Sequence, residues 1–389
     1  MFEYQTEGAA RIVVLGIGGG GSNAVDRLIA AGVRGVEFAA LNTDQQALDH
    51  SLAAHRIGLG QRVARGLGAG GDPSLGQRAA EECAHEIESM CRDADMVFIT
   101  AGMGGGTGTG ASPIVAQIAQ ESGALTVGVV TKPFAFEGSK RRRNADAGID
   151  TLRTNLNTLI VIPNDRVLNI IDRRTTVEEA FGVVDDVLRQ GIQGISELIT
   201  RPGLINLDFA DVRAVMSEPG IALMAIGSAE GEERAVEAAQ LAMASPLLDL
   251  SMQGARGVLF NVTGAKDITL DEINRAADII RQAADPDANI IFGAVIDEAL
   301  GNEVRITVIA TGFESSQRRG PKSPAQANGE NGSGDEGLPS RRAWHDPFAD
   351  ESSDLRRTLR GLREETNAAD EPLPRVPDWL RRREQDRGR

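Results

Sequence analysis

A chain of 389 residues with 41% hydrophobic but only 4% aromatic content has room for two domains and a tail, with cores built from Ala, Val, Ile and Leu. The net charge of −15 sits in residues 1–312, which hold 41 Asp and Glu against 26 Lys and Arg, whereas residues 313–389 hold 15 of each; so acidic a globular part argues against general nucleic-acid binding. The four His are scattered, and Cys83 and Cys91 fit no metal or redox spacing. No metal ligands are therefore expected, and the cysteine usage, the lack of a signal-peptide pattern and the lack of a membrane-length apolar run point to the cytosol.

Residues 1–10 are expected to fray. Arg11–Leu15 reads as a buried strand, followed by the glycine run Gly16–Asn23 and a helix from about Ala24 to Ala31. Gly16, Gly18 and Gly21 satisfy GxGxxG between strand and helix, which alone supports a Rossmann dinucleotide site and an NAD-dependent oxidoreductase. That reading needs an acid ending the second strand. Val36–Leu41 ends in Asn42-Thr43-Asp44, and Asp44 comes late for the role. Gly66–Pro73 reads as a plain turn, and Leu75–Cys91 as one amphipathic helix.

Met96–Ile99 is the next buried strand. Between Gly102 and Gly110 stand six glycines and two threonines, and Pro113 is expected to open the following helix. Strand, bare backbone and helix start together describe an anion cradle, with Thr107 and Thr109 adding hydroxyls. It is not the common P-loop, because the chain contains no Gly-Lys pair. In a parallel sheet both glycine loops lie at the carboxyl edge. One polyphosphate held from two sides explains both; NAD explains only the first.

Leu125–Val130 is a strand ending in Thr131-Lys132-Pro133. Phe134–Arg143 carries a basic cluster, mostly explained as a solvated helix face. Leu159–Ile162 is a strand closed by Pro163-Asn164-Asp165. Val177–Leu198 has the apolar period of a long buried helix, with Phe181 in the core and Asp185 and Asp186 solvated. In Asn206–Asp211 the carboxylates of Asp208 and Asp211 are three apart, which suits a helix cap and catalysis equally. Residues 221–310 form a second domain, with strands near 222–227, 257–262, 290–296 and 304–310 and helices near 232–244 and 270–284, giving a small sheet with helices on one face. Composition from Glu314 to about Ser340 indicates disorder, and Leu355, Leu359 and Leu362 among arginines stay unfolded unless partnered. Leu373–Arg383, with Val376, Pro377, Trp379 and Leu380 before three arginines, suits a recognition peptide on a tether.

The string Gly104–Gly110 resembles the signature loop of the tubulin/FtsZ family of GTPases. The resemblance implies an α/β fold: a Rossmann-like parallel-sheet GTP-binding domain (11–175), a long central helix (176–205), a smaller α/β domain (206–312), a disordered linker (313–372) and a partner-binding peptide (373–389). It implies GTP or GDP with Mg²⁺ as the bound group. The implied contacts are Gly19, Gly20, Gly21, Ser22 and Asn23 of the first loop, Asp44, Gly70 and Gly71 of the turn that would flank the terminal phosphate, and Gly105, Gly106, Thr107, Gly108 and Thr109 of the second loop. Further contacts are Thr131, Glu137, Arg141 and Asn164, with Phe181 against the base and Asp185 on its Watson–Crick edge. Asn206, Asp208 and Asp211 would reach the nucleotide of the next subunit. The last segment resembles the family's terminal peptide, Ile-Pro-x-Phe-Leu followed by basic residues, with Val376 for Ile and Trp379 for Phe.

The family thus implies a GTPase activated by head-to-tail polymerisation, forming the mid-cell division ring, as in the bacterial branch. Membrane-tethering and regulatory partners would bind the tail; nucleic acid and direct membrane insertion are not expected. Two alternatives stand beside it: the NAD oxidoreductase, and a scaffold whose nucleotide is structural.

Overall fold

The structure is a computed structural model, which describes residues 10–169, 171, 172, 174–200, 205, 208–217, 220–245, 252 and 254–313. The expected contact Asn206 and the tail segment with Val376, Pro377, Trp379 and Leu380 lie outside the described residues.

The first half alternates strand and helix. β1 (Ile12–Ile17) leads into α1 (Gly18–Ala30), then β2 (Val36–Asn42), α2 (Gln45–His50) and β3 (His55–Gly58). α3 (Pro73–Glu82) and α4 (Ala84–Cys91) precede β4 (Met96–Gly102), α5 (Thr107–Glu121) and β5 (Leu125–Lys132). A 3-10 turn at Ala135–Glu137, α6 (Ser139–Arg153), β6 (Thr158–Pro163) and α7 (Asn164–Val167) complete it. The strands lie parallel in the order β3-β2-β1-β4-β5-β6. Every residue of β1 is buried, as continuous apolar strands require when helices cover both faces. Val13, Leu15 and Ile17 pack with α3, α4, α5 and α6. Ile12 and Val14 face the other way, into a core with α1 and α8 (Val177–Thr200).

α8 has 24 residues, so it is about 36 Å long. Phe181, near its start, packs edge-on against Phe134 just past β5. At its far end Thr200 lies against Gly35, just before β2. The helix therefore crosses the sheet from carboxyl edge to amino edge. α9 (Phe209–Met216) follows, then β7 (Gly220–Glu230), α10 (Arg234–Met243), β8 (Gly257–Gly264), α11 (Leu270–Ala283), β9 (Asn289–Ile296) and β10 (Glu303–Thr311). The start of β7 pairs in parallel with β6, while its length pairs antiparallel with β10, so the strand order continues β7-β10-β8-β9. α10 and α11 cover one face of this part, with Ala238 and Ile280 packed on Val258, Phe260 and Val308. Met224, Leu259 and Ile309 turn to the core shared with α8.

Three expectations need correction. Helices α1 and α5 begin at Gly18 and Thr107, earlier than Ala24 and Pro113, and Pro113 lies inside α5. The glycines form the first turns themselves because each helix is pressed onto its neighbours there. A Cβ on Gly110 would lie 1.9 Å from the Pro73 carbonyl oxygen, and one on Gly21 2.3 Å from that of Thr100. Tertiary packing, rather than propensity, supplies such a helix start. The single helix expected over 75–91 breaks at Cys83 (φ −104°, ψ 17°), which lets Ala79 and Ala80 as well as Ile87 and Cys91 turn inward. Both cysteines are buried and free. The short β3, α2 and α7 carry too few apolar residues to show a period.

Candidate nucleotide site

The strand order reverses between β1 and β4, the switch point where open α/β sheets bind ligands. Ile17 pairs with Ala101, so both glycine loops leave the sheet side by side. They are in contact: a Cβ on Gly18 would lie 3.0 Å from the Gly108 nitrogen, and one on Gly20 3.2 Å from that of Gly102. Gly18 (φ +70°) and Gly104 (φ +104°) occupy the left-handed region that bare backbone enters without strain. The N-termini of α1 and α5 have no side-chain cap and no acidic residue in the first turn. Their free N–H groups and positive dipole ends suit an anion.

A cavity of about 430 Å³ opens at this point, within the size range of ligand sites. Gly19, Gly20 and Asn23 form one side and Gly105, Gly106, Thr107 and Gly108 another. A Cβ on Gly19 or Gly105 would meet no protein atom within 4 Å, so these glycines leave room at the cavity wall. Thr131, near the end of β5, and Pro133, just past it, line the cavity with Gly102 and Met103. Glu137 and Arg141 line it as an ion pair, and Glu137 also accepts from the Phe134 N–H at 2.9 Å. Asn164, at the start of α7, is buried, and its amide oxygen has no hydrogen-bond partner in the protein. A buried acceptor of this kind calls for a donor on a bound molecule or a water.

The last wall is the first half of α8: Phe181, Val184, Asp185 and Leu188. Phe181, 37% exposed, offers an apolar ring to the cavity and packs edge-on against Phe134, which itself stacks on Phe136. Asp185 is 8% exposed, and Arg27 Nε donates to its Oδ2 at 3.3 Å. Burial pushes its carboxyl up to about 6, against the pull of the Arg27 guanidinium. A flat apolar ring beside one carboxylate matches guanine, whose N1–H and N2–H₂ are adjacent donors.

Other sequence-derived candidates have different surroundings. Gly21 packs under the sheet, where its missing Cβ lets α1 meet Thr100. Ser22 is buried, with its hydroxyl unpartnered in the protein. Asp44 caps α2, accepting from the Gln46 and Ala47 N–H groups. Gly70 and Gly71 lie exposed in the turn before α3. Thr109 points away from the cavity: its buried hydroxyl accepts from the Gly104 N–H at 2.8 Å and braces the loop. Thr43 was not anticipated; its hydroxyl shares a 2.6 Å hydrogen bond with that of Thr107. Val184 and Leu188 follow Phe181 at helical spacing, a signal the sequence carried as core.

Asp208 caps α9, its Oδ1 accepting from the Asp211 N–H at 2.8 Å, and both residues are exposed. α9 lies at the amino edge of the parallel sheet. Arg213 Nη2 donates to the carbonyl of Gly123, just before β5, and Thr158, which begins β6, donates to the carbonyl of Met216 at 2.5 Å. The cavity lies past the other end of the same strands. β5 has eight residues, about 26 Å of chain, so these carboxylates do not reach the cavity of their own subunit.

Among the described residues no group of three or more His, Cys, Asp and Glu side chains could hold a metal ion, and no helix is long and apolar enough to cross a membrane. The donors at the cavity fit Mg²⁺ only as the companion of a polyphosphate, the mode in which that ion takes phosphate oxygens and waters with few carboxylates.

Comparison with known proteins agrees with this architecture. The Tubulin/FtsZ family GTPase domain matches residues 11–172, and the FtsZ family C-terminal domain matches residues 220–314. An empty FtsZ dimer from M. jannaschii is 47% identical, with a TM-score of 0.77 over 80% of this chain and 91% of that one. A mutant of the same FtsZ gives 47% and 0.77 over 79% and 92%. CetZ2 from Haloferax volcanii, solved as a GTPγS-bound protofilament, shares the fold at 23% identity and TM-score 0.67, over 79% of this chain and 95% of that one. Paired glycine loops at the switch point, a ring and a carboxylate on the long helix, and likeness over four fifths of the chain at 47% identity place this chain in the Tubulin/FtsZ family of GTPases, as a member of its FtsZ branch.

Proposed function

We propose that this protein binds GTP in the switch-point cavity and hydrolyses it only within a head-to-tail homopolymer, which builds the cytoplasmic division ring at mid-cell. The observation that carries the reading is the opposition of two edges: the cavity lies at the carboxyl ends of the strands, and Asp208 and Asp211 lie at the amino ends. Stacking one copy on the next along the strand direction brings these carboxylates to the neighbour's γ-phosphate. Such contact joins unlike surfaces and propagates as a filament.

In this reading residues 11–175 bind the nucleotide, 176–205 connect, 206–312 carry the assembly surface and 313–372 tether the partner-binding peptide 373–389. The glycine loops cradle the phosphates with Thr107. Glu137, Arg141 and Asn164 hold the sugar and phosphates, and Asp185 reads the base. Hydrolysis joins a water oxygen to the γ-phosphorus and breaks its bond to the β–γ bridging oxygen. Positioning and charge stabilisation dominate such a step. Asp208 already caps its helix, so Asp211 is the freer carboxylate to orient the water. Mg²⁺, bound with the nucleotide, would supply charge neutralisation at the phosphate oxygens.

The test is GTP turnover against protein concentration. Activity per subunit should climb steeply as filaments form, and Asp211→Ala should bind GTP and sediment as polymer while turning over about 100-fold more slowly or worse. A per-subunit rate that stays flat on dilution would sink the divided site. Filaments that leave GTP intact would favour the scaffold instead.

A further inference from the structure

Arg27 stands behind the cavity wall. It lies in the last turn of α1 and reaches α8, where its Nε is 3.3 Å from Asp185 Oδ2. Gly182 makes room for it, since a Cβ there would sit 3.3 Å from Arg27 Nη2. Asp185 lines the cavity and Arg27 does not. The other charged neighbours have partners of their own. Asp186 accepts from Arg189 Nε at 2.8 Å and Gln190 Nε2 at 2.7 Å. Glu137 and Arg141, on the 3-10 turn and α6, pair with each other at the cavity wall. β5 presents Val129 to this core and Thr131 to the cavity, and α7 presents Asn164 and Val167, all uncharged; of the charged residues of α7, Asp165 accepts from the Ala135 N–H at 2.8 Å and Arg166 has an interaction of its own.

We propose that Arg27 is a positioning residue that determines base specificity: it holds Asp185 in the orientation and charge state in which the carboxylate accepts from both N1–H and N2–H₂ of a guanine. This rests on reading the cavity as a guanine-nucleotide site. The geometry permits both contacts at once. Each carboxylate oxygen has two acceptor positions, and Arg27 occupies one on Oδ2. Protonation would turn one acceptor into a donor facing the N1–H or N2–H₂ of the base. Burial favours that protonation, and the Arg27 guanidinium is the cation that opposes it.

The experiment measures GDP and IDP affinity of nucleotide-free protein from about pH 5.5 to about pH 8.5, IDP lacking the 2-amino group. Wild type is compared with Arg27→Met, Arg27→Gln and Arg27→Lys, and thermal unfolding checks that each is folded. Wild-type GDP affinity should fall as the pH drops below about 6, following the carboxyl. In Arg27→Met and Arg27→Gln the midpoint should rise by about one pH unit, so that near pH 6 they bind GDP about five-fold more weakly than wild type and near pH 8.5 almost equally. Their preference for GDP over IDP should fall over the same range, and Arg27→Lys should restore most of the wild-type midpoint. Unchanged midpoints, or equal weakening at every pH, would leave Arg27 a packing role and overturn the proposal. Failure of wild type to bind GDP or IDP would overturn the reading of the cavity as well.

Discussion

Replacing Asp185 by Asn should stabilise the nucleotide-free protein while it weakens guanine recognition. Burial lifts this carboxyl from an ordinary 3.8 to about 6, and a rise of about two units corresponds to about 3 kcal/mol. The folded-state value lies above the unfolded one, so the folded state holds the proton more tightly. Stability from this group is therefore greatest below about pH 4, declines as the pH climbs towards 6, and is fully lost above that. Asn carries no charge at any of these pH values and removes the loss. Arg27, whose side chain is 35% exposed, returns to water at a cost of under about 1 kcal/mol. The net gain near neutrality is then about 2 kcal/mol, a rise in melting temperature of several degrees for a chain of this size. Thermal unfolding at about pH 7.5 and about pH 4.5 makes the comparison, and the advantage of Asp185→Asn should shrink to about 1 kcal/mol or less at the lower pH. An equal or lower melting temperature near neutrality, or an advantage that does not depend on pH, would refute the reasoning.

Gly110→Ala and Gly105→Ala should fail in different ways. The first drives a methyl into the Pro73 carbonyl at the α3–α5 contact and should cost about 3 kcal/mol or more, read as lost thermal stability. The second meets no protein atom within 4 Å and should melt like wild type while losing GDP affinity. Thr109→Val removes the acceptor for the buried Gly104 N–H and should cost about 1–3 kcal/mol, with weaker GDP binding as the loop loosens. Deleting residues 373–389 should abolish capture by membrane-tethering partners in pull-down experiments and leave the GTPase rate unchanged; a lost rate would make the tail part of the enzyme.

The alternation of buried strand, glycine run and helix was legible in the sequence because each of those signals is local. An apolar strand buried on both faces reads as a continuous run, and a loop that approaches a ligand closely reads as glycine. Gly16–Gly21, Gly102–Gly110 and the apolar stripe of α8 all announced themselves in this way. Side-chain direction was not legible. Thr107 and Thr109 are two apart in one motif, yet one lines the cavity and the other braces Gly104. Their orientation follows from α5 starting at Thr107, which packing against α3 imposes. The Arg27–Asp185 pair joins residues 158 positions apart, and Asp208 and Asp211 sit across the sheet from the cavity only because α8 spans its full depth. Spacing along a chain encodes period and turn chemistry; which wall a residue faces, and which edge of the sheet it occupies, is decided by contacts between distant segments that form only when the layers close.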